Sequence, residues 1–108
     1  MEKVPFQADV TRQDRRLVVS VSGELDYANS PQLIEALREE LADPAVELVF
    51  DFSKLSFLDS EGLKLLVKVY RRIDEAGGSV SIIGCNTGIT RLFQICGLTK
   101  ILGVKANV

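Results

Sequence analysis

Val46-Glu47-Leu48-Val49-Phe50-Asp51-Phe52, then Ser53-Lys54-Leu55-Ser56-Phe57-Leu58-Asp59, then Ser60-Glu61-Gly62-Leu63 is the stretch on which the fold turns. Its first seven residues are β-rich and almost continuously apolar, as in a strand covered on both faces near the middle of a sheet. From Ser60 the period changes. Leu63, Leu66, Val67, Tyr70 and Ile73 recur at spacings of three and four, which predicts a long helix. It ends at Ala76-Gly77-Gly78, where a glycine adopts the left-handed cap. Ser79 to Gly84 supplies the next strand.

Working outward, Phe6 to Ser22 reads as a β-hairpin turned at Arg12-Gln13-Asp14-Arg15, with Leu17, Val19 and Val21 alternating against Val18, Ser20 and Ser22. Ser30 caps and Pro31 opens a helix that runs to Leu41, its face made of Leu33, Ile34, Leu37 and Leu41, with Asp43-Pro44 as the stop. Downstream, Asn86-Thr87 offers a capping site for a brief helix carrying Ile89, Leu92 and Phe93. Thr99 to Val104 reads as a closing strand. Strands alternating with helices after a hairpin define an α/β fold: one domain, residues 1–108, with a mixed β-sheet opened by the hairpin and packed with α-helices.

Composition excludes several chemistries. There is no histidine, so Ser-His-Asp and Cys-His catalysis and histidine-ligated metal are absent. A formal charge of −2, with no basic run, gives no footprint for nucleic acid. The glycines match neither a phosphate loop nor a dinucleotide fingerprint, so no cofactor is expected. Nothing reads as a signal peptide or membrane span, which places the chain in the cytoplasm, not inserted in a membrane. There Cys85 and Cys96 are expected as small buried hydrophobes, not a disulfide. Asp26, Asp51 and Asp59 could hold a metal only if they converged, which nothing in their spacing requires.

The concentrated chemistry lies at Asp59-Ser60-Glu61-Gly62. A serine at a helix start sits among unsatisfied backbone N–H groups, where the helix dipole favours an attached phosphate. Phosphorylation there adds about −1.5 to −2 charge between Asp59 and Glu61. The bland readings are equally physical: Ser60 as a plain helix cap, Asp59 as a loop fastener, Asp26 as a pin for the preceding turn and Gly62 as a point of close approach. The stripe of Leu63, Leu66, Val67 and Tyr70 is most simply core.

The blocks Gly23-Glu24-Leu25-Asp26 and Phe57-Leu58-Asp59-Ser60-Glu61-Gly62-Leu63, with Gly77-Gly78, Arg91-Leu92-Phe93 and Gly97-Leu98, resemble the STAS domain of anti-sigma factor antagonists, over about Leu17 to Leu102. The resemblance implies a non-enzymatic module that binds an anti-sigma factor serine kinase when unphosphorylated. It is released by phosphorylation at Ser60 and restored by a PP2C-type phosphatase. It also implies partner contacts at Asp26, Asp59, Glu61, Gly62 and Lys64. Two positions depart from the family pattern. Glu61 stands where a small neutral residue follows the phosphoserine, and Lys64 stands where a glycine is usual. They motivate the alternative of a non-phosphorylated STAS scaffold subunit in a larger signalling or transporter assembly; ligand sensing would need an apolar pocket. The family's amphipathic C-terminal helix is not in the sequence, so apolar sheet surface is expected to be less covered, inviting a homodimer or a partner.

Overall fold

The computed structural model describes residues 4–105. Four strands, β1 (Gln7–Gln13), β2 (Arg16–Leu25), β3 (Glu47–Leu58) and β4 (Ser79–Ile83), form one sheet in the order β1-β2-β3-β4. The β1–β2 hairpin is antiparallel and turns at Asp14, whose φ of 54° is left-handed. The β2–β3 and β3–β4 pairs are parallel, so the sheet is mixed. Parallel neighbours need crossovers. These are α1 (Ser30–Leu37) between β2 and β3, and α2 (Ser60–Glu75) between β3 and β4; α3 (Thr87–Ile95) follows β4.

Alternation puts Leu17, Val19 and Val21 of β2 and Leu48, Phe50 and Phe52 of β3 on the inner face, where they pack with Leu33, Leu66, Ile73 and Phe93 into one core. The other face is largely polar. Asp9, Ser20 and Asp51 share one register row, and Gln7 lies opposite Ser22. Ile83 is exposed at the margin of this face.

Four expectations need correction. The first helix stops at Leu37, where the Arg38 N–H turns to the Glu35 carbonyl three residues back, and is followed by a 3-10 turn over Glu40–Ala42 in which Leu41 still reaches the core and its carbonyl accepts from the Arg72 guanidinium at 3.1 and 2.9 Å. Ile34, counted on that helix's inner face, is 45% exposed. The strand expected to end at Phe52 continues to Leu58, since two register shifts, between Ser20 and Ser22 and between Gly23 and Glu24, keep it paired with β2. Thr99 to Val104 is a run of turns, with Gly103 at φ 59° and a single parallel bridge from Val104 to Ile82 in place of a strand. The C-terminus of α2 follows the expectation: Gly77 is left-handed at φ 83°, and the Gly78 and Gly77 N–H groups return to Ile73 and Asp74.

Candidate functional site

Because β2 and β3 are parallel neighbours, their C-terminal ends coincide, with Leu25 beside Leu58. Both crossover helices therefore begin at the same end of the sheet, and the sequence blocks around Asp26 and Ser60 become one surface.

Asp59 is the N-cap of α2. Its Oδ1 accepts from the Gly62 N–H at 2.9 Å, while Oδ2 accepts from the Tyr27 N–H at 2.9 Å. Its own N–H donates to the Leu25 carbonyl at 3.2 Å. One carboxylate thus caps a helix and fastens the neighbouring loop to it. The Gly62 N–H holds the Asp59 carboxyl below its usual range; partial desolvation opposes this, and the Tyr27 and Glu61 amides reinforce it.

Asp26 holds the other loop. Its Oδ1 accepts from the Asn29 N–H at 2.9 Å, and its carbonyl accepts from the N–H of Ser30 at 2.8 Å and the hydroxyl of Ser30 at 2.7 Å. Asn29 occupies the N-cap of α1 without a side-chain cap bond, so Ser30 is the first helical residue and not the cap.

Ser60 is likewise first in its helix, and the expected cap role belongs to Asp59. Ser60 is exposed, and among the described residues its hydroxyl has no hydrogen-bond partner. Glu61 and Lys64 turn to each other in an exposed ion pair of 3.2 Å, a contact the i,i+3 spacing contained. Gly62 is buried: a Cβ there would lie 2.6 Å from the Leu25 carbonyl oxygen and 2.7 Å from Leu58 Cδ1. It makes the close approach of α2 to β2 possible.

Two aromatic residues frame this surface that the sequence reading did not single out, Tyr27 at 78% exposure and Phe57 at 48%. Phe57 lies in the part of β3 past the bulges, where the side-chain alternation shifts; only the extended strand reveals it. Asp51 pairs across from Ser20 in mid-sheet and binds the Ser53 N–H at 3.0 Å, away from the other two carboxylates. Among the described residues no three His, Cys, Asp or Glu side chains gather as metal ligands, and no helix is long and apolar enough to cross a membrane. Both cysteines remain thiols. Cys85 is buried, which pushes its thiol up to about 11, whereas Cys96 is exposed, against the expectation of two buried cysteines.

A mixed four-stranded sheet whose two parallel crossovers bring an acidic turn and a serine-bearing helix start together defines a small single-sheet α/β domain. The chain belongs to the STAS domain family, whose model matches residues 7–108. It is 31% identical over 102 residues to the anti-sigma-B factor antagonist of Bacillus subtilis, covering 94% of this chain and 93% of the relative. It superposes on the crystal structure of an anti-sigma factor antagonist from Mycobacterium paratuberculosis with a TM-score of 0.80 and 32% identity, over 96% of this chain and 88% of that one. The Bacillus cell fate determinant SpoIIAA in its phosphorylated form shares the fold, with a TM-score of 0.72 and 23% identity, over 95% and 93% of the two chains.

Proposed function

We propose that the chain is an anti-sigma factor antagonist that binds an anti-sigma factor serine kinase with Ser60 unmodified and is released when that kinase phosphorylates Ser60. A PP2C-type phosphatase restores the binding form. The observation that carries this reading is the exposed Ser60 hydroxyl, unclaimed among the described residues, at the first position of a helix whose cap is supplied by its neighbour. Modification of Ser60 therefore removes no cap. A phosphate adds about −1.5 to −2 charge beside Asp59 and Glu61, and it meets backbone donors that Asp59 already occupies. The outcome is a local excess of negative charge on the surface framed by Tyr27 and Phe57, the two groups best suited to anchor a partner. Asp26, Asp59 and Gly62 hold the shape of that surface, and the Glu61–Lys64 pair forms part of its rim.

Relatives named anti-sigma factor antagonists support the class of partner. Affinity for the cognate anti-sigma factor tests the switch. Ser60→Ala should bind like the unmodified chain and Ser60→Asp at least tenfold more weakly; equal affinities would sink the reading. Glu61, a fixed charge next to the acceptor, favours the scaffold alternative. Intact-mass measurement on chain purified under phosphatase inhibition separates the two, because a scaffold stays unmodified through growth and stress.

A further inference from the structure

Away from the Ser60 end, the surface between α1 and α2 has a chemistry that the switch does not use. A groove of about 330 Å³ opens there, floored by Ile34, Leu37, Leu41, Leu65 and Val69. Its lips are cationic: Arg38 at the C-terminal end of α1, Lys68 and Arg72 on α2. Arg72 is fixed in place by its two bonds to the Leu41 carbonyl. Arg38 makes only an exposed 3.3 Å pair with Glu35, and Lys68 has no ion pair among the described residues.

The middle of α2 is basic, between Glu61 at its start, which pairs with Lys64, and Asp74 and Glu75 at its end. From Gly62 to Ile73 it carries Lys64, Lys68, Arg71 and Arg72 and no acidic residue, in a chain whose net charge is −2. At 3.6 residues per turn these four fall within an arc of about 100°. Leu65 and Val69 border that arc on the α1 side. Leu63 and Val67 border it on the other side, where they line a second hollow, of about 320 Å³, with Leu98. Leu37, Leu41, Leu65 and Val69 of the floor are buried and Ile34 is exposed at its edge, while Arg38, Lys68 and Arg72 are exposed around them, Arg72 reaching across to the Leu41 carbonyl. A flat membrane surface would meet the cations first and leave the floor unfilled; a ridge of apolar side chains with carboxylates on both flanks would satisfy both.

We infer that the α1–α2 groove is a second docking surface, separate from the Ser60 face, for an acidic amphipathic helix of a partner protein. The helix's apolar ridge would seat on Ile34, Leu65 and Val69, and its flanking carboxylates would pair with Arg38 on one lip and Lys68 and Arg72 on the other. Charge complementarity selects this occupant: the floor alone would accept any apolar segment, and the lips reject a basic one.

The probe is a fluorescent 18-residue helical peptide with leucines along one face and glutamates on both flanks, titrated into the full chain and followed by amide chemical shifts and anisotropy. Shifts should map to Ile34–Leu41 and Leu65–Arg72, and added salt should weaken binding. Lys68→Glu and Ile34→Glu, both exposed positions, should each reduce affinity about tenfold with melting temperature unchanged, while Ser60→Asp leaves it within twofold. A peptide with lysines in place of the glutamates should not bind. The proposal is overturned if the acidic peptide causes no shifts at millimolar concentration, if the lysine peptide binds equally, or if phosphatidylglycerol vesicles bind the groove and the peptide does not.

Discussion

Two serines hold the first helical position of helices that leave the same end of the sheet, Ser30 after β2 and Ser60 after β3. Ser30 is buried, with its hydroxyl donated to the Asp26 carbonyl at 2.7 Å. Ser60 is exposed and its hydroxyl unclaimed among the described residues, because the carboxylate before it has taken over the capping. Residue type and helix position are the same in both. What separates a structural serine from an available one is which neighbour satisfies the orphan N–H groups, and whether the chain around it packs inward.

The sharpest way to break this contrast is to push the second helix off the sheet. Gly62→Ala places a Cβ against the Leu25 carbonyl, a backbone atom with little room to yield. It should cost about 3 kcal/mol, read as a lower midpoint in urea unfolding. Next is Asp59→Ala, which removes the α2 cap and the tie to Tyr27 together and should cost about 1–2 kcal/mol in the same measurement.

Asp59 also gives the contrast a pH signature. Its carboxyl is held below the usual range in the folded chain, so its stabilisation is complete above the unfolded pKa of about 3.9. That stabilisation fades as pH falls through the lower, folded-state value. The stability gap between wild type and Asp59→Ala should therefore narrow below about pH 3.9. A gap that stays constant there would mean that the charge of Asp59 contributes nothing to the cap.

The smallest effects test the two serines directly. Ser30→Ala should cost about 1 kcal/mol for a lost, largely buried hydrogen bond, and Ser60→Ala should stay within about 0.5 kcal/mol. If Ser60→Ala destabilised the chain as much as Ser30→Ala, Ser60 would be a structural residue after all.

Much of the architecture was legible in the residues. The alternation of Leu17, Val19 and Val21 and the spacing of Leu66 and Ile73 reflect which side chains are buried, and burial is what periodicity encodes. The Asn86 cap was equally readable, and its Oδ1 accepts from Ile89 at 2.8 Å. The spacing of Leu63, Val67 and Tyr70 was less decisive. They lie half-buried at the side of α2, while Leu65 and Val69, absent from the expected stripe, are in the core. A helix packed between a sheet and another helix buries a broader arc than one apolar stripe suggests.

The sequence by itself determined the class of fold, the place where a strand gives way to a helix bearing Ser60, and the charges available there. These follow from local preference and from which residues avoid water. Only the tertiary structure decided that Asp59 and not Ser60 caps α2, that β3 runs on to expose Phe57, that Arg72 of α2 claims the Leu41 carbonyl beyond the early end of α1, and that Thr99 to Val104 makes turns in place of a strand. The Asp59–Gly62 cap and the closing turns are local, whereas the run of β3 along β2, the Arg72–Leu41 bond and the second bond of Asp59, to Tyr27, are choices of hydrogen-bond partner between segments far apart in the chain. Such partners are chosen by register and packing, which no local pattern of residues records.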